Sequence, residues 1–259
     1  MGEKKSGYVL DAKISARTFN ETLALISQWG QLKAQKYVCV CNTHSLVTGY
    51  HNAAFKTVLA HSDLCVPDGM PLVFALRRLG FRKQDRVDGP NLMLALCDEA
   101  AKKGYRIFLF GGTEKNLARL EKKLTMDFPG IQISGSLSPP FRDLAEQEEE
   151  EIRQYINSKK ADFVFVSLGC PKQETWMYRN RESINGVMIG VGAAFDFIVG
   201  DIKRPPLFFQ KIGLEWLFRL IAEPKRLFKR YAYNNPAFLI GYIKTFKKDK
   251  RNTFFTDSA

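Results

Sequence analysis

Residues 106–127 read RIFLFGGTEKNLARLEKKLTMD. Arg106–Phe110 is a short, almost wholly apolar run, two glycines interrupt it, and a helical stretch over 114–127 follows. Continuous apolar runs suit strands of a parallel sheet covered on both faces. The same unit recurs on either side. Strands are predicted at Tyr37–Cys41, Asp63–Val66, Ile131–Ser134, Asp162–Ser167 and Val187–Val191, with helical stretches at 44–60, 90–103, 144–158 and 172–183. This alternation predicts an α/β fold, a Rossmann-like parallel sheet layered with helices. Past residue 205 the strand pattern stops. Leu207–Ala222, Lys225–Tyr233 and Pro236–Lys248 read as helices separated by Pro224 and Pro236. The expected organisation is a body over 1–204 and a C-terminal helical appendage over 205–259.

The length of 259 residues suits one large domain with a small addition. The net charge of +12 is unevenly placed: residues 203–259 hold 13 Lys/Arg against 4 Asp/Glu, and 12 of the 32 aromatics. A basic aromatic tail on a nearly neutral body calls for an anionic counterpart: a nucleic acid, a lipid surface or a diphosphate substrate. Phe238, Tyr242 and Phe246 recur every four residues, with Leu239 and Ile243 beside them and Lys244, Lys247 and Lys248 interleaved. Such a stripe either lies flat on anionic lipid or packs against the body. No apolar run reaches the roughly 18–20 residues of a membrane span, the nearest being 185–200, which Asp196 interrupts. MGEKKSG leads into no long apolar segment, so no signal peptide is expected. Five cysteines without CxxC spacing read as reduced, mostly buried thiols, and His44, His51 and His61 have no ligand cluster around them.

In α/β folds ligands bind outside the carboxyl ends of the strands, so the loops there carry the chemistry. Asn42 and Thr43 follow the first strand and suit helix capping or ligand binding. Asp68, in Val66-Pro-Asp-Gly-Met-Pro, is either ordinary turn chemistry or a carboxylate held at a strand mouth as a general base. Gly111 and Gly112 allow backbone to approach a phosphate at a helix start, although no Walker lysine and no full GxGxxG is present. Lys172, Gln173 and Glu174 cluster at a helix N-terminus, where Gln173 can read a base or ribose edge. Asp196 lies in apolar surroundings and needs a partner, and Arg86 offers a cation near the same rim.

PDG at 67–69, RVDGPNLM at 86–93, FLFGG at 108–112, LGCPKQE at 168–174, GVGAAFDF at 190–197 and GLEWLFRLIAEPKRLFKRY at 213–231, in this order, resemble the TagA/WecG/CpsF glycosyltransferase family, over roughly residues 35–235. PPFRDL at 139–144 and the long GLEW segment are similar to its exopolysaccharide branch. The resemblance implies inverting transfer of a sugar, N-acetylmannosamine type by default, from a UDP-sugar to a polyprenyl-diphosphate-linked saccharide, at the cytoplasmic face of the membrane and without an essential metal. It implies Asp68 as the catalytic residue, Asn42, Arg86, Gln173 and Asp196 as donor-site residues, and Arg219 and Arg226 as cations of an appendage that docks on membrane and closes the site. Val40 and His44 depart from the family pattern and bear on the donor sugar, for which UDP-glucose or a UDP-uronic acid are the alternatives.

Inverting transfer needs one carboxylate to take the acceptor proton and positive charge to stabilise the departing diphosphate. The chain has no Asp-x-Asp metal motif, so Arg86, Lys172, Arg204, Arg219 and Arg226 are the expected source of that charge and no cofactor is expected. Two other classes compete. A dehydrogenase lacks its full glycine motif and ribose-reading acid. A nucleic-acid binding module would use the basic tail, but no recognisable binding motif accompanies it. No nucleic acid partner is therefore expected, and a homo-oligomer is left open.

Overall fold

The computed structural model describes residues 6–206, 208–209 and 213–256; the side chains of 222, 226 and 246–256 fall outside the description. Six strands form one sheet: β3 (Lys36–Cys41), β4 (Leu64–Pro67), β5 (Arg106–Gly111), β6 (Gln132–Leu137), β7 (Phe163–Ser167) and β8 (Val187–Gly190). The order is β4-β3-β8-β7-β5-β6, and every neighbouring pair is parallel. All six predicted strands are present. Two elements precede them that the sequence reading did not find: an antiparallel hairpin of β1 (Ser6–Val9) and β2 (Ala12–Ser15), and helix α1 (Phe19–Gln31). The hairpin turns through Leu10 and Asp11, both with positive φ, the backbone of a tight two-residue hairpin turn. No glycine marks it, which is why the turn is hard to see in sequence.

Apolar strands without polar alternation fill two cores. Along β5, Phe108 and Phe110 enter one core and Ile107 and Leu109 the other; along β7, Val164 and Val166 part from Phe163 and Phe165 in the same way. The first core is closed by the hairpin and by helices α2 (Thr43–His51), α3 (Ala53–Ala60), α4 (Met70–Arg78), α7 (Glu146–Ser158) and α8 (Lys172–Arg179). The second is closed by α1, α5 (Gly89–Lys103), α6 (Glu114–Asp127) and α9 (Ala194–Val199). The stretch read as one helix over 44–60 is two. Asn52 leaves helical geometry, ends α2, and caps α3 by accepting from the Phe55 amide at 3.0 Å. Four cysteines are buried and the fifth, Cys170, is half-buried; all five are free thiols.

The tail departs most from expectation. Within the predicted helix 207–222, the described helix is α10 (Glu215–Ala222), entered through Gly213 at φ 81°, a conformation that favours glycine. The two helices predicted to part at Pro236 are one, α11 (Pro224–Thr256), with Pro236 inside it. Proline removes one backbone donor, but buried Leu227, Asn234 and Phe238 hold the helix on both sides of the break. Phe238 and Tyr242 stack on each other and face the body, with Phe238 in the first core. Leu239, Ile240 and Ile243 are exposed, together with Ile221, Phe228 and Tyr233; Phe246, Lys247 and Lys248 lie outside the described side chains. Among the described residues no helix is long and apolar enough to cross a membrane.

Candidate active site

Several turns on the carboxyl rim of the sheet are braced by side-chain caps. Asn42 follows β3 and accepts from the His44 and Ser45 amides at 3.0 and 3.3 Å, capping α2. Asp88 caps α5 through the Asn91 amide at 3.1 Å, and Thr113 caps α6 through the Asn116 amide at 3.2 Å. Asp68 follows β4, and its own amide donates to the Cys41 carbonyl at 2.8 Å. That bond sets the Asp68 turn beside the Asn42 turn. Asn42 thus caps a helix and also lines a cavity.

That cavity has a volume of 370 Å³ and is walled by the Asn42–Thr43 and Asp68–Pro71 turns, by Arg86, and by Glu215, Trp216, Arg219, Asn235, Phe238 and Leu239 from the C-terminal helices. At its base the Arg86 guanidinium bridges two carboxylates. Its Nε and NH2 donate to Asp68 Oδ1 at 3.1 and 2.8 Å, its Nε also donates to the Asp68 carbonyl, and NH1 donates to Glu215 Oε2 at 2.5 Å. Asp68 Oδ2 accepts no hydrogen bond from the described residues. Burial pushes the Asp68 carboxyl above the ordinary carboxylate range, Asp88 and Glu215 add to this, and Arg86 opposes it. Burial by itself would lower the Arg86 pKa, but Asp68 and Glu215 outweigh it and hold the cation charged at any working pH. A carboxylate with one oxygen unengaged and facing a cavity, beside a fixed cation, could take up a proton next to a departing anion.

Further cations line the same rim. Arg204 donates to Asp88 at 2.7 Å and to Asn91 at 2.9 Å. Arg219 lies over the Phe197 ring at 5.3 Å, and its buried Nε has no hydrogen-bond partner among the described residues. The side chain of Arg226, expected beside Arg219, lies outside the described residues. Glu215 lines this cavity, Asp88 acts on the Asp68 charge and, with Asn91, holds Arg204; all three escaped the reading of single residues. Each stands inside a segment that was noticed, RVDGPNLM or GLEW, but only the folded contact with Arg86 or Arg204 singles it out.

A second cavity, of 680 Å³, opens over the ends of β5, β7 and β8 and is lined by Gly112, Thr113, Asn116, Lys172, Trp176, Gly192 and Asp196, with the 139–144 loop over it. Asp196 finds the partner its apolar setting demands, accepting from Asn116 Nδ2 at 2.8 Å. Gln173 lines neither cavity. It is 2% exposed, its amide donates to Glu174 at 2.8 Å, and its oxygen accepts from the Gly192 amide at 3.1 Å. It shapes the wall from behind. Burial pushes the Glu174 carboxyl up. The two glycines divide their tasks. Gly111, at φ 118°, lines neither cavity, and a Cβ there would run into the Ser167 carbonyl of β7. Gly112 lines the cavity, but its amide donates to the Ser167 carbonyl at 3.3 Å, so that donor is engaged within the sheet. Of the expected residues, the fold thus gathers Asn42, Thr43, Asp68, Arg86 and Arg219 in one cavity and Gly112, Lys172 and Asp196 in the other, while Arg204 lines neither.

His44 takes a structural part. Its Nδ1 lies 3.2 Å from Asn234 Nδ2 of α11, so it ties the C-terminal helix to the start of α2. Burial, and then Arg230, lower its pKa to about 4.

A model of the glycosyl transferase WecG/TagA/CpsF family matches residues 8–252. An N-acetylglucosaminyldiphosphoundecaprenol N-acetyl-beta-D-mannosaminyltransferase of Bacillus spizizenii (strain ATCC 23059 / NRRL B-14472 / W23) is 31% identical over 191 residues, which span 73% of this chain and 72% of that protein.

Proposed function

The chain belongs to the WecG/TagA/CpsF family of glycosyltransferases, and from that premise we propose that it moves N-acetylmannosamine from a UDP-sugar to a polyprenyl-diphosphate-linked saccharide whose first sugar is N-acetylglucosamine. The observation that carries the reading is the Asp68–Arg86 pair at the base of a cavity closed on one side by the body and on the other by α10 and α11. The substrates follow the name of the relative.

In this reading Asp68 Oδ2 removes the acceptor hydroxyl proton as that oxygen attacks the anomeric carbon. The new C–O bond forms while the bond from that carbon to the diphosphate oxygen breaks, and the electron pair leaves on UDP. A single displacement inverts the anomeric centre. Arg86 and Arg219 supply positive charge, and preorganised charge of this kind is the largest catalytic contribution in many enzymes. Metal independence is part of the proposal and rests on these cations. The nucleoside end of the donor goes to the larger cavity, where Asn116 and Asp196 offer a fixed hydrogen-bonding pair.

The acceptor carries a lipid, so the enzyme works at a membrane surface, on the cytoplasmic face where nucleotide sugars are made. The exposed apolar side chains of α10 and α11, among basic residues, support this placement. Two measurements test the proposal. UDP at about 100 times its dissociation constant stabilises the fold by roughly 2.7 kcal/mol, and the rise in melting temperature persists in EDTA. Incubation with UDP-N-acetylmannosamine and undecaprenyl-diphosphate-linked N-acetylglucosamine releases UDP and yields a lipid-linked disaccharide. Turnover with UDP-glucose or a UDP-uronic acid instead would reassign the donor, and a melting rise abolished by EDTA would overturn metal independence.

A further inference from the structure

Glu215 has an ordinary partner within reach on its own helix, since Arg219 stands four residues on, the spacing that pairs side chains along a helix. It does not use it. It crosses to the body and takes NH1 of Arg86 at 2.5 Å, while Arg219 Nε is left without a partner among the described residues. The pair is secluded, with side-chain exposures of 18% for Arg86 and 12% for Glu215. Nε and NH2 of the same guanidinium are given to Asp68. One planar cation therefore links a carboxylate of the body rim to a carboxylate at the start of α10.

Resting on the reading of Asp68 as the base, we propose that Glu215 is a positioning residue: through Arg86 it fixes the Asp68 carboxylate and makes its readiness to take a proton depend on docking of the C-terminal helices. The charges that face Asp68 are Arg86, Asp88 and Glu215, and Arg219 lines the same cavity. With Glu215 in place the Arg86 charge is shared between two anions. When α10 is undocked or Glu215 is neutral, Arg86 belongs to Asp68 alone, stabilises its ionised form, and makes it a weaker base. The guanidinium also loses the contact that fixes its plane. The body carries the base, and the docked tail sets its strength.

The test uses the full chain with ¹³C-carboxyl-labelled aspartate, the Asp68 resonance being identified by its loss in Asp68→Asn. In Glu215→Gln, which keeps the shape and removes the charge, the Asp68 titration midpoint moves to lower pH; in Glu215→Asp it stays near the parent. A thermal melt of each variant shows that the fold is retained. In turnover assays Glu215→Gln lowers kcat by about tenfold or more while donor KM changes by less than about threefold, and the acid limb of the rate profile moves to lower pH. An Asp68 midpoint indifferent to Glu215→Gln overturns the inference, as does unchanged kcat with tighter UDP binding, which would make Glu215 a place-holder for the diphosphate. Full activity of Asp68→Asn would instead remove Asp68 as the base, and the titration would still decide whether Glu215 acts on it.

Discussion

Asp68 gives one carboxylate oxygen to Arg86 and leaves the other to the cavity, so its two atoms can be separated by mutation. Asp68→Asn keeps the size and can still accept from Arg86, but it cannot take a proton. A loss in kcat of at least about 10²-fold is expected, with UDP binding by calorimetry retained; lost UDP binding would count against the assignment. His44 gives a pH prediction. Its pKa falls from the ordinary 6.5 to about 4 in the folded chain, so between these values the unfolded chain binds more protons. Stability contributed by neutral His44 is complete above pH 6.5 and is lost as pH falls through the window toward 4. His44→Gln flattens that part of a denaturation series recorded at stepped pH. Asp68 stands out in the sequence as a carboxylate at a strand mouth, whereas the structural part of His44 depends on Asn234, 190 residues away, and is visible only in the fold.

At the scale of elements, the turn after β5 joins sheet geometry to the larger cavity. Gly111 combines positive φ with a Cβ position blocked by the Ser167 carbonyl, whereas Gly169 has positive φ and open space around it. Gly169→Ala meets backbone strain alone, about 1–2 kcal/mol. Gly111→Ala meets strain and a clash with backbone that belongs to the central sheet, so its unfolding midpoint falls clearly further; equal losses for the two would show that the β5–β7 approach tolerates a methyl. The Gly-Gly pair was legible as a close approach. What approaches Gly111 is a neighbouring strand, a fact that depends on β7 lying beside β5 across more than fifty residues of sequence. The splitting of 44–60 at Asn52 rests on a local cap bond, and the continuity of α11 through Pro236 on buried side chains on both sides of it. Local propensity is a weak preference, and cap bonds or buried side chains on either side outweigh it.

For the whole molecule, the C-terminal helices face two ways. Leu227, Asn234 and Phe238 are buried against the body, while Phe228, Leu239, Ile240 and Ile243 remain exposed. The four-residue aromatic stripe thus packs inward over its described part, and the exposed apolar residues lie on other faces of α10 and α11. Phe228→Ser with Ile240→Ser is expected to reduce sedimentation with anionic vesicles while leaving UDP-dependent melting unchanged. Binding of the parent chain should also fall with added salt, since each near-surface cation contributes about 1 kcal/mol at anionic lipid. Vesicle binding untouched by the double substitution would move the membrane contact elsewhere.

The parallel layered sheet was legible from the residues alone, because apolar runs of four to six residues between helical stretches have few other ways to bury both faces. The residues also showed which loops meet the carboxyl rim, and the ordered motifs pointed to the glycosyltransferase family to which the chain belongs. That Arg86 is shared by Asp68 and Glu215, that Gln173 stands behind the wall and that Phe238 faces the core emerge only from the folded contacts. The two Arg86 pairs join residues 18 and 129 positions apart. Spacing along the chain carries no signal of such distant pairs, whereas periodicity within ten or twenty residues reports directly on strand and helix.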